Sequence, residues 1–415
     1  MAFRALLIAQ EFPPRVSGGI AAYYYHLCLA AGGAVAMLAP GGEQERAFDA
    51  GQPFPIYRLR TPVQPSRFMA AGRRSLWRLP IIACLAAAQY VLFAWHGWRR
   101  LAGQPRAMLL AGHLYLAPLA RGLAACLRRR YAVCLHGGEL NRYWDWLPVR
   151  RAMLWGLNGA AFLTVNSRHT AGQVAARGVR PDLPVHIVHP GVDADRFRPA
   201  QPSRAIRQRL GLDGTGPALL SVARLVEWKG QDTVLRALPA IRQAYPGVRY
   251  VIAGDGPYRA DLEQLARDLG VAEAVSFAGF LPDADLPDAY AAAAVIVLPA
   301  REIRPGVPVE GFGITLLEAA ACARPVVAGN VGGTADAVLD GVTGLLVDPC
   351  DPAAVAQAVL RLLNDPDLAR RMGEAGRQRA LAEFTWQATA QPLLAVIGEA
   401  LGGGPAAGDV GGGGP

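Results

Sequence analysis

The order in which apolar runs, glycine loops and helix-like segments follow one another limits the possible folds more than any other feature. Apolar runs such as residues 218–222 and 295–298 are each followed by a loop and then by a helix-like segment, and this order repeats through both halves. Such runs predict strands buried on both faces, and strands separated by helices predict parallel sheets. We therefore predict an α/β fold with two Rossmann-like domains, whose loops face each other across a cleft.

The chain of 415 residues is long enough for two separate cores. The net charge changes sign near the middle, where prolines punctuate the chain: Pro190, Pro199 and Pro202. We place the boundary near residue 195, which gives a first domain at residues 1–195 and a second at 196–385. Residues 402–415 are nearly all glycine, alanine and proline, so we predict a disordered tail.

Charge is distributed unevenly along the chain. Residues 1–190 carry 22 basic and 7 acidic side chains, whereas residues 191–415 carry 20 and 26. A basic half predicts an anionic partner. Because no nucleic-acid-binding motif occurs among these arginines, we favour the phosphate headgroups of a membrane and predict no nucleic-acid partner. A compositional excess of arginine without a partner is the alternative.

The segment at residues 66–101 is apolar in its centre and has arginines and tryptophans near its ends. Such ends suit a membrane interface, but the segment also fits a helix packed on its own sheet, and both interpretations stay open. Its apolar part is too short and is interrupted by Gln89, so we predict no transmembrane helix.

Other classes are disfavoured by the spacing of reactive residues. The six cysteines include no C-x-x-C pair and fit buried residues of a reducing cytosol, and the seven histidines have no metal-ligand spacing. We therefore predict no protein-built metal site. The loop after the first apolar run lacks G-x-G-x-x-G, which argues against a nicotinamide-dependent oxidoreductase.

The most specific chemistry lies in the segment that contains Glu310 and Glu318, eight positions apart. Gly311 and Gly313 suit a loop in which the backbone approaches a ligand closely, and residues 314–321 predict a helix. The N-terminus of that helix would attract an anion, above all phosphate.

Two further loops carry candidate ligand groups. Arg224 and Lys229 lie five positions apart after a predicted strand, and Lys229 is the single lysine among 42 basic residues, which indicates a specific requirement for it. Two such cations suit a diphosphate. His136 follows a predicted strand and precedes two glycines, the place where an open α/β sheet presents ligand groups.

Together these segments resemble the retaining GT-B glycosyltransferases of family 4. The resemblance rests on residues 308–329, on Phe12-Pro13-Pro14 with Ser17-Gly18-Gly19, on His136-Gly137-Gly138-Glu139, and on Arg224 with Lys229-Gly230. It implies that Glu310 and His136 contact the donor sugar, that Glu318 binds the ribose, and that Arg224 and Lys229 clamp the diphosphate. It also implies a final helix at residues 386–401 that crosses back to the first domain. The further donor-binding residues that it implies are Gly18, Gly19, Phe280, Leu281, Gly311, Phe312, Gly313, Ile314 and Thr315.

The resemblance implies a retaining hexosyltransferase that uses a nucleotide-diphospho-sugar and requires neither a metal nor another cofactor. Residues 221–233 and 326–344 are most similar to the phosphatidylinositol mannosyltransferase branch, so we favour mannose and a lipid-linked or glycan acceptor. The expected location is cytoplasmic, peripheral on the inner face of the membrane. Alternatives are a glucosyl-, galactosyl- or GlcNAc-transferase of the same fold, and an inactive nucleotide-sugar-binding module.

Overall fold

The computed structural model describes residues 2–14, 18–60, 79–140, 144, 146–212, 214, 216–303 and 309–402. Residues 403–415 of the predicted tail and the first part of the 66–101 segment lie outside these residues. Within them the chain forms two parallel sheets with helices on both faces, which confirms the predicted fold class.

The first sheet contains seven strands within the described part of the chain, in the order β3-β2-β1-β4-β5-β6-β7. Every pairing in it is parallel. Its five central strands are buried, as their continuous apolar sequences predict, whereas the edge strands β3 and β7 are partly exposed. The strands are β1 Ala5–Ile8, β2 Val35–Pro40, β3 Ile56–Leu59, β4 Met108–Ala111, β5 Tyr131–Leu135, β6 Phe162–Val165 and β7 Val185–Ile187. The helices are α1 Gly19–Ala30, α2 Arg46–Ala50, α3 Leu79–Ala102, α4 Ala117–Leu127, α5 Leu147–Asn158 and α6 Arg168–Ala175.

The second sheet has the order β10-β9-β8-β11-β12-β13 over the described residues and is also parallel throughout. Its strands are β8 Ala218–Val222, β9 Arg249–Ala253, β10 Val275–Gly279, β11 Val295–Leu298, β12 Val326–Gly329 and β13 Leu345–Val347. The helices of this half are α7 Arg204–Arg209, α8 Gln231–Ala244, α9 Arg259–Asp268, α10 Leu286–Ala292, α11 Ile314–Ala321, α12 Thr334–Ala337, α13 Pro352–Asn364, α14 Pro366–Glu383 and α15 Trp386–Ala400.

The last helix, α15, packs on the first domain. The hydroxyl oxygen of Thr385 accepts a hydrogen bond from the backbone N–H of Ala388 and caps the helix. Trp386 and Leu393 share a buried cluster with Tyr24 of α1. The backbone N–H of Val192 donates to the carbonyl oxygen of Phe384 over 2.7 Å, so the two chain crossings lie side by side. The exact boundary near residue 195 stays a prediction.

Helix α3 has one buried and one exposed face. Phe93 and Leu101 are fully buried in the core of the first domain, whereas Trp95 and Trp98 are exposed and stack on each other with ring centroids 5.6 Å apart. The described part of the 66–101 segment therefore packs on its own sheet, which was one of the two interpretations left open by the sequence. None of the helices in the described ranges is long and apolar enough to cross a bilayer.

Candidate active site

Two helix N-termini, one from each domain, meet at the junction of the domains. A Cβ atom on Gly19, the first residue of α1, would lie 3.7 Å from the Cδ1 atom of Ile314, the first residue of α11. Both helices follow an N-cap glycine, Gly18 and Gly313, and neither has an acidic residue in its first turn. Their first N–H groups therefore lack side-chain caps and suit an anion. Thr315 lies in the same first turn of α11 and is half-buried.

Lys229 and Glu310 form an ion pair at this junction. The clamp of Arg224 and Lys229 on a diphosphate stays a prediction. The Nζ atom of Lys229 donates to the Oε2 atom of Glu310, and both side chains are largely buried. The same Nζ atom lies 4.6 Å from the centroid of the Trp228 ring. A buried ammonium group beside one carboxylate retains donors for a second acceptor.

Arg224 lies in the same loop and is exposed. Its charge acts on Glu11, which lies in the loop after β1 of the first domain. Burial raises the pKa of the Glu11 carboxyl, and the Arg224 guanidinium opposes that rise. Arg224 therefore lies within electrostatic range of the loop that follows β1 of the first domain.

Arg301, which follows β11, is tied to the loop of Lys229 and to the start of α8. Its guanidinium donates to both carboxylate oxygens of Asp232 at 2.8 and 2.9 Å, and also to the hydroxyl of Thr233. Its backbone N–H donates to the carbonyl oxygen of Trp228. This pair is largely buried and bidentate, so it holds the start of α8 against the chain that follows β11.

His136 follows β5 and is held through its backbone and its ring. Its N–H donates to the Oε1 atom of Glu139 over 2.8 Å, and its carbonyl oxygen accepts from the Nδ2 atom of Asn166 over 3.1 Å. Its Nε2 atom lies 2.6 Å from the hydroxyl of Tyr24. Burial, with the neighbouring His113, lowers the pKa of His136 to about 3, so the imidazole is neutral. Glu139 stabilises this loop through its carboxylate.

Gly311 brings the second domain against the loop of His136. A Cβ atom on Gly311 would lie 2.6 Å from the carbonyl oxygen of His136 and 2.8 Å from the Nδ2 atom of Asn166. The next residue, Phe312, is buried against His189 and Phe384, at ring distances of 5.2 and 5.7 Å. Gly311 therefore makes one of the interdomain contacts, and Phe312 packs in the core beneath it.

Glu318 lies one turn into α11, and the hydroxyl of the buried Tyr290 donates to its Oε2 atom over 2.6 Å. Burial raises the pKa of Glu318 to about 7, although Tyr290 and Arg196 oppose the rise. After β10, Phe280 is exposed and Leu281 is buried, so of these two residues only Phe280 presents its side chain to solvent.

An ion pair joins the two domains beside this site. The buried carboxylate of Asp336 in α12 accepts from the Nε atom of Arg168 over 2.5 Å and from the backbone N–H of Arg168 over 2.6 Å. Sequence reasoning missed the partners that hold the site together: Tyr24, Asn166, Arg168, Arg301 and Asp336. Only Arg301 had a sequence signal, since it opens the segment that leads to Glu310.

Two parallel-sheet domains that meet through glycine-started helices, next to a lysine–glutamate pair of the second domain, have the GT-B architecture of glycosyltransferases. Two family models match consecutive parts of the chain: Glycosyltransferase Family 4 at residues 17–196 and Glycosyl transferases group 1 at residues 202–379. The chain belongs to this family of glycosyltransferases, which confirms the resemblance and the prediction of a hexosyltransferase.

Relatives and solved structures agree with this assignment. The chain is 38% identical over 396 residues to the GDP-mannose-dependent alpha-(1-6)-phosphatidylinositol monomannoside mannosyltransferase of Mycobacterium tuberculosis, covering 94% of this chain and 97% of the relative. The protein of the same name from Mycolicibacterium smegmatis is 43% identical over 284 residues, covering 68% and 72%.

Among solved structures, Anabaena HepE in complex with UDP-glucose has a TM-score of 0.74 at 19% identity, covering 95% of this chain and 99% of that one. Sucrose-phosphate synthase from Thermosynechococcus elongatus has a TM-score of 0.73 at 22% identity, covering 96% and 98%. At these identities the two structures bear on the fold alone.

Proposed function

We propose that the protein is a retaining mannosyltransferase that moves mannose from GDP-mannose to a phosphatidylinositol mannoside. The observation that carries the chemistry is the convergence of Lys229 and two uncapped helix N-termini on one point between the domains. The choice of sugar and acceptor follows the mycobacterial relatives, to which the chain is similar over nearly its whole length.

The leaving diphosphate explains why positive charge is gathered at this point. As the bond to the sugar breaks, negative charge develops on the leaving phosphate oxygen. Lys229, Arg224 and the first N–H groups of α1 and α11 would stabilise that charge in place. Because these groups supply positive charge from the protein itself, we propose that transfer requires no metal ion.

Glu310 and His136 would orient the sugar from opposite domains. Glu310 holds Lys229 before the donor arrives, and the diphosphate would take over that ammonium group and leave the carboxylate for sugar hydroxyls. We assign no covalent nucleophile. Retention would follow from attack on the same face that the diphosphate leaves, with the leaving phosphate accepting the proton of the acceptor hydroxyl. Closure of the two domains would exclude water.

The acceptor proposal includes an anionic membrane surface on the first domain, at the inner face of the cytoplasmic membrane. Helices α3, α4 and α5 pack side by side and expose Trp95, Trp98, Trp146 and Trp155. The Arg121 guanidinium lies 4.5 Å from the Trp155 ring centroid. Exposed tryptophans with arginines suit the headgroup region.

Transfer and membrane binding are tested separately. The purified protein is offered GDP-mannose, UDP-glucose, UDP-GlcNAc or UDP-galactose with phosphatidylinositol monomannoside, with and without EDTA. We expect transfer from GDP-mannose alone, unaffected by EDTA, and an α-linkage by NMR. Lys229→Ala should weaken donor binding roughly 10- to 100-fold, the value of a charge-assisted contact. Transfer from another donor would overturn the mannose proposal, and no binding of any nucleotide sugar would overturn the donor-site proposal.

Membrane binding is measured by co-sedimentation with vesicles that contain phosphatidylinositol. Trp95→Ala with Trp98→Ala should reduce the bound fraction, whereas Leu339→Ala, which removes an exposed apolar side chain from the second domain, should not. Equal binding of all variants would contradict the proposed surface.

A further inference from the structure

The hydroxyl group of Tyr24 has one proton, and its two contacts decide which ring nitrogen of His136 carries hydrogen. Tyr24 is fully buried in α1, and its hydroxyl contacts both the carbonyl oxygen of Gly112 and the Nε2 atom of His136. A carbonyl oxygen only accepts, so Tyr24 donates its proton to Gly112. The hydroxyl oxygen must then accept from His136, which places the hydrogen on Nε2.

The other ring nitrogen is left as an acceptor. Because the imidazole is neutral, a hydrogen on Nε2 leaves a lone pair on Nδ1. The rings of Tyr23 and Tyr24 pack edge-on against His136 at 5.1 and 5.3 Å and keep its plane in place. The backbone of His136 is already bonded to Glu139 and Asn166. Tautomer, ring plane and loop are therefore all fixed before a ligand binds.

We propose that Tyr24 is a positioning residue that holds His136 as the Nε2–H tautomer, so that Nδ1 accepts a hydrogen bond from one hydroxyl of the transferred sugar. This inference rests on the proposed function, since it takes the donor sugar as the partner. Tyr24 lies on α1, the helix whose N-terminus faces the diphosphate region, so one element places both the phosphate-facing amides and the sugar acceptor. An acceptor nitrogen rejects a donor that lacks the matching hydroxyl.

The kinetic test compares Tyr24→Phe with the wild-type enzyme on GDP-mannose and on analogues that each lack one sugar hydroxyl. We expect kcat/KM for GDP-mannose to fall roughly 5- to 10-fold in Tyr24→Phe, the value of one neutral hydrogen bond. On one analogue, the one without the hydroxyl bound by Nδ1, wild type and variant should be equal. Tyr23→Phe is the matched control, because Tyr23 contacts the same ring by its edge, and it should keep the wild-type discrimination. If Tyr24→Phe lowers kcat/KM by the same factor for GDP-mannose and for every analogue, the proposal is overturned.

The tautomer is measured directly by nitrogen NMR of protein with ¹⁵N-labelled histidine, with His136 assigned through His136→Gln. We expect a protonated Nε2 and a bare Nδ1 in wild type and a mixture of tautomers in Tyr24→Phe. A protonated Nδ1 in wild type would overturn the proposal without any activity measurement. This readout is independent of donor turnover, so failure of the tautomer inference is distinguishable from failure of the proposed function.

Discussion

Gly311→Ala is the substitution that tests whether the contact between the domains is needed for transfer. The new methyl group would lie 2.6 Å from the carbonyl oxygen of His136 and 2.8 Å from the Nδ2 atom of Asn166. Both atoms belong to the first domain, whereas Gly311 belongs to the second. Gly311 does not have a positive φ angle, so alanine brings no backbone strain and the clash is purely steric.

The size of the effect follows from the distances. Carbon atoms approach oxygen comfortably only beyond about 3.3 Å, so the domains would have to separate by roughly 0.7 Å or the Asn166–His136 hydrogen bond would have to break. Overpacking of this kind costs about 1–3 kcal/mol. Because the cleft can open to relieve the clash, the cost falls on the closed state, whose population should drop about 5- to 150-fold.

The assay is kcat/KM for sugar transfer, with the closed fraction followed by small-angle X-ray scattering in the presence of donor. We expect a loss of roughly 5- to 150-fold in kcat/KM, equal to the loss of the closed population, with little change in Tm. Gly172→Ala is the matched control, because a Cβ atom on Gly172 meets no atom within 4 Å. Wild-type kcat/KM in Gly311→Ala would refute the reasoning, and a large fall in Tm would move the effect to folding.

Further predictions concern the titration of Glu318 and the ion pair between Asp336 and Arg168. Because the pKa of Glu318 is raised to about 7, its carboxylate is lost as pH falls through that value, so donor affinity should weaken below about pH 7 and level off above it. Isothermal titration calorimetry should show no such dependence in Glu318→Gln, and in Tyr290→Phe the midpoint should move higher, since Tyr290 lowers that pKa. Asp336→Ala should cost about 1–3 kcal/mol of unfolding free energy, because it leaves the backbone N–H of Arg168 without its acceptor. Arg168→Ala should cost only about 0.2–1 kcal/mol, because its side chain is largely exposed. Both unfolding free energies are measured by chemical denaturation, and equal losses in the two variants would contradict this order.

The fold and the chemistry-bearing residues were predictable because both depend on local pattern. Continuous apolar runs identify strands buried on both faces, and a glycine before a helix identifies an amide-rich terminus. His136, Lys229 and Glu310 follow strands in sequence, so the parallel sheet order brings them to the domain junction. Their presence there needed no knowledge of how the domains dock.

The partners of these residues were not predictable, because they depend on that docking. Tyr24 and Asp336 look in the sequence like an ordinary helix-core tyrosine and a helix aspartate. Their roles arise from contacts across 112 and 168 positions of sequence. The ion pair of Lys229 with Glu310 has the same origin, since it joins residues that are 81 positions apart in sequence.

The adjacent chain crossings at Val192 and Phe384 limit the relative motion of the two domains. A single linker would allow one domain to rotate about any axis, but two crossings joined by a backbone hydrogen bond leave mainly rotation about the line that passes through both. We expect such a hinge to let the cleft open and close while the phosphate-facing and sugar-facing groups keep their lateral alignment. Each closure would then search few arrangements, and the entropy lost on forming the reactive complex would be correspondingly small. Removal of α15 would expose the apolar surface of α1 that it covers and leave a single tether, so the enzyme would lose part of its first-domain packing together with the direction of its closing motion.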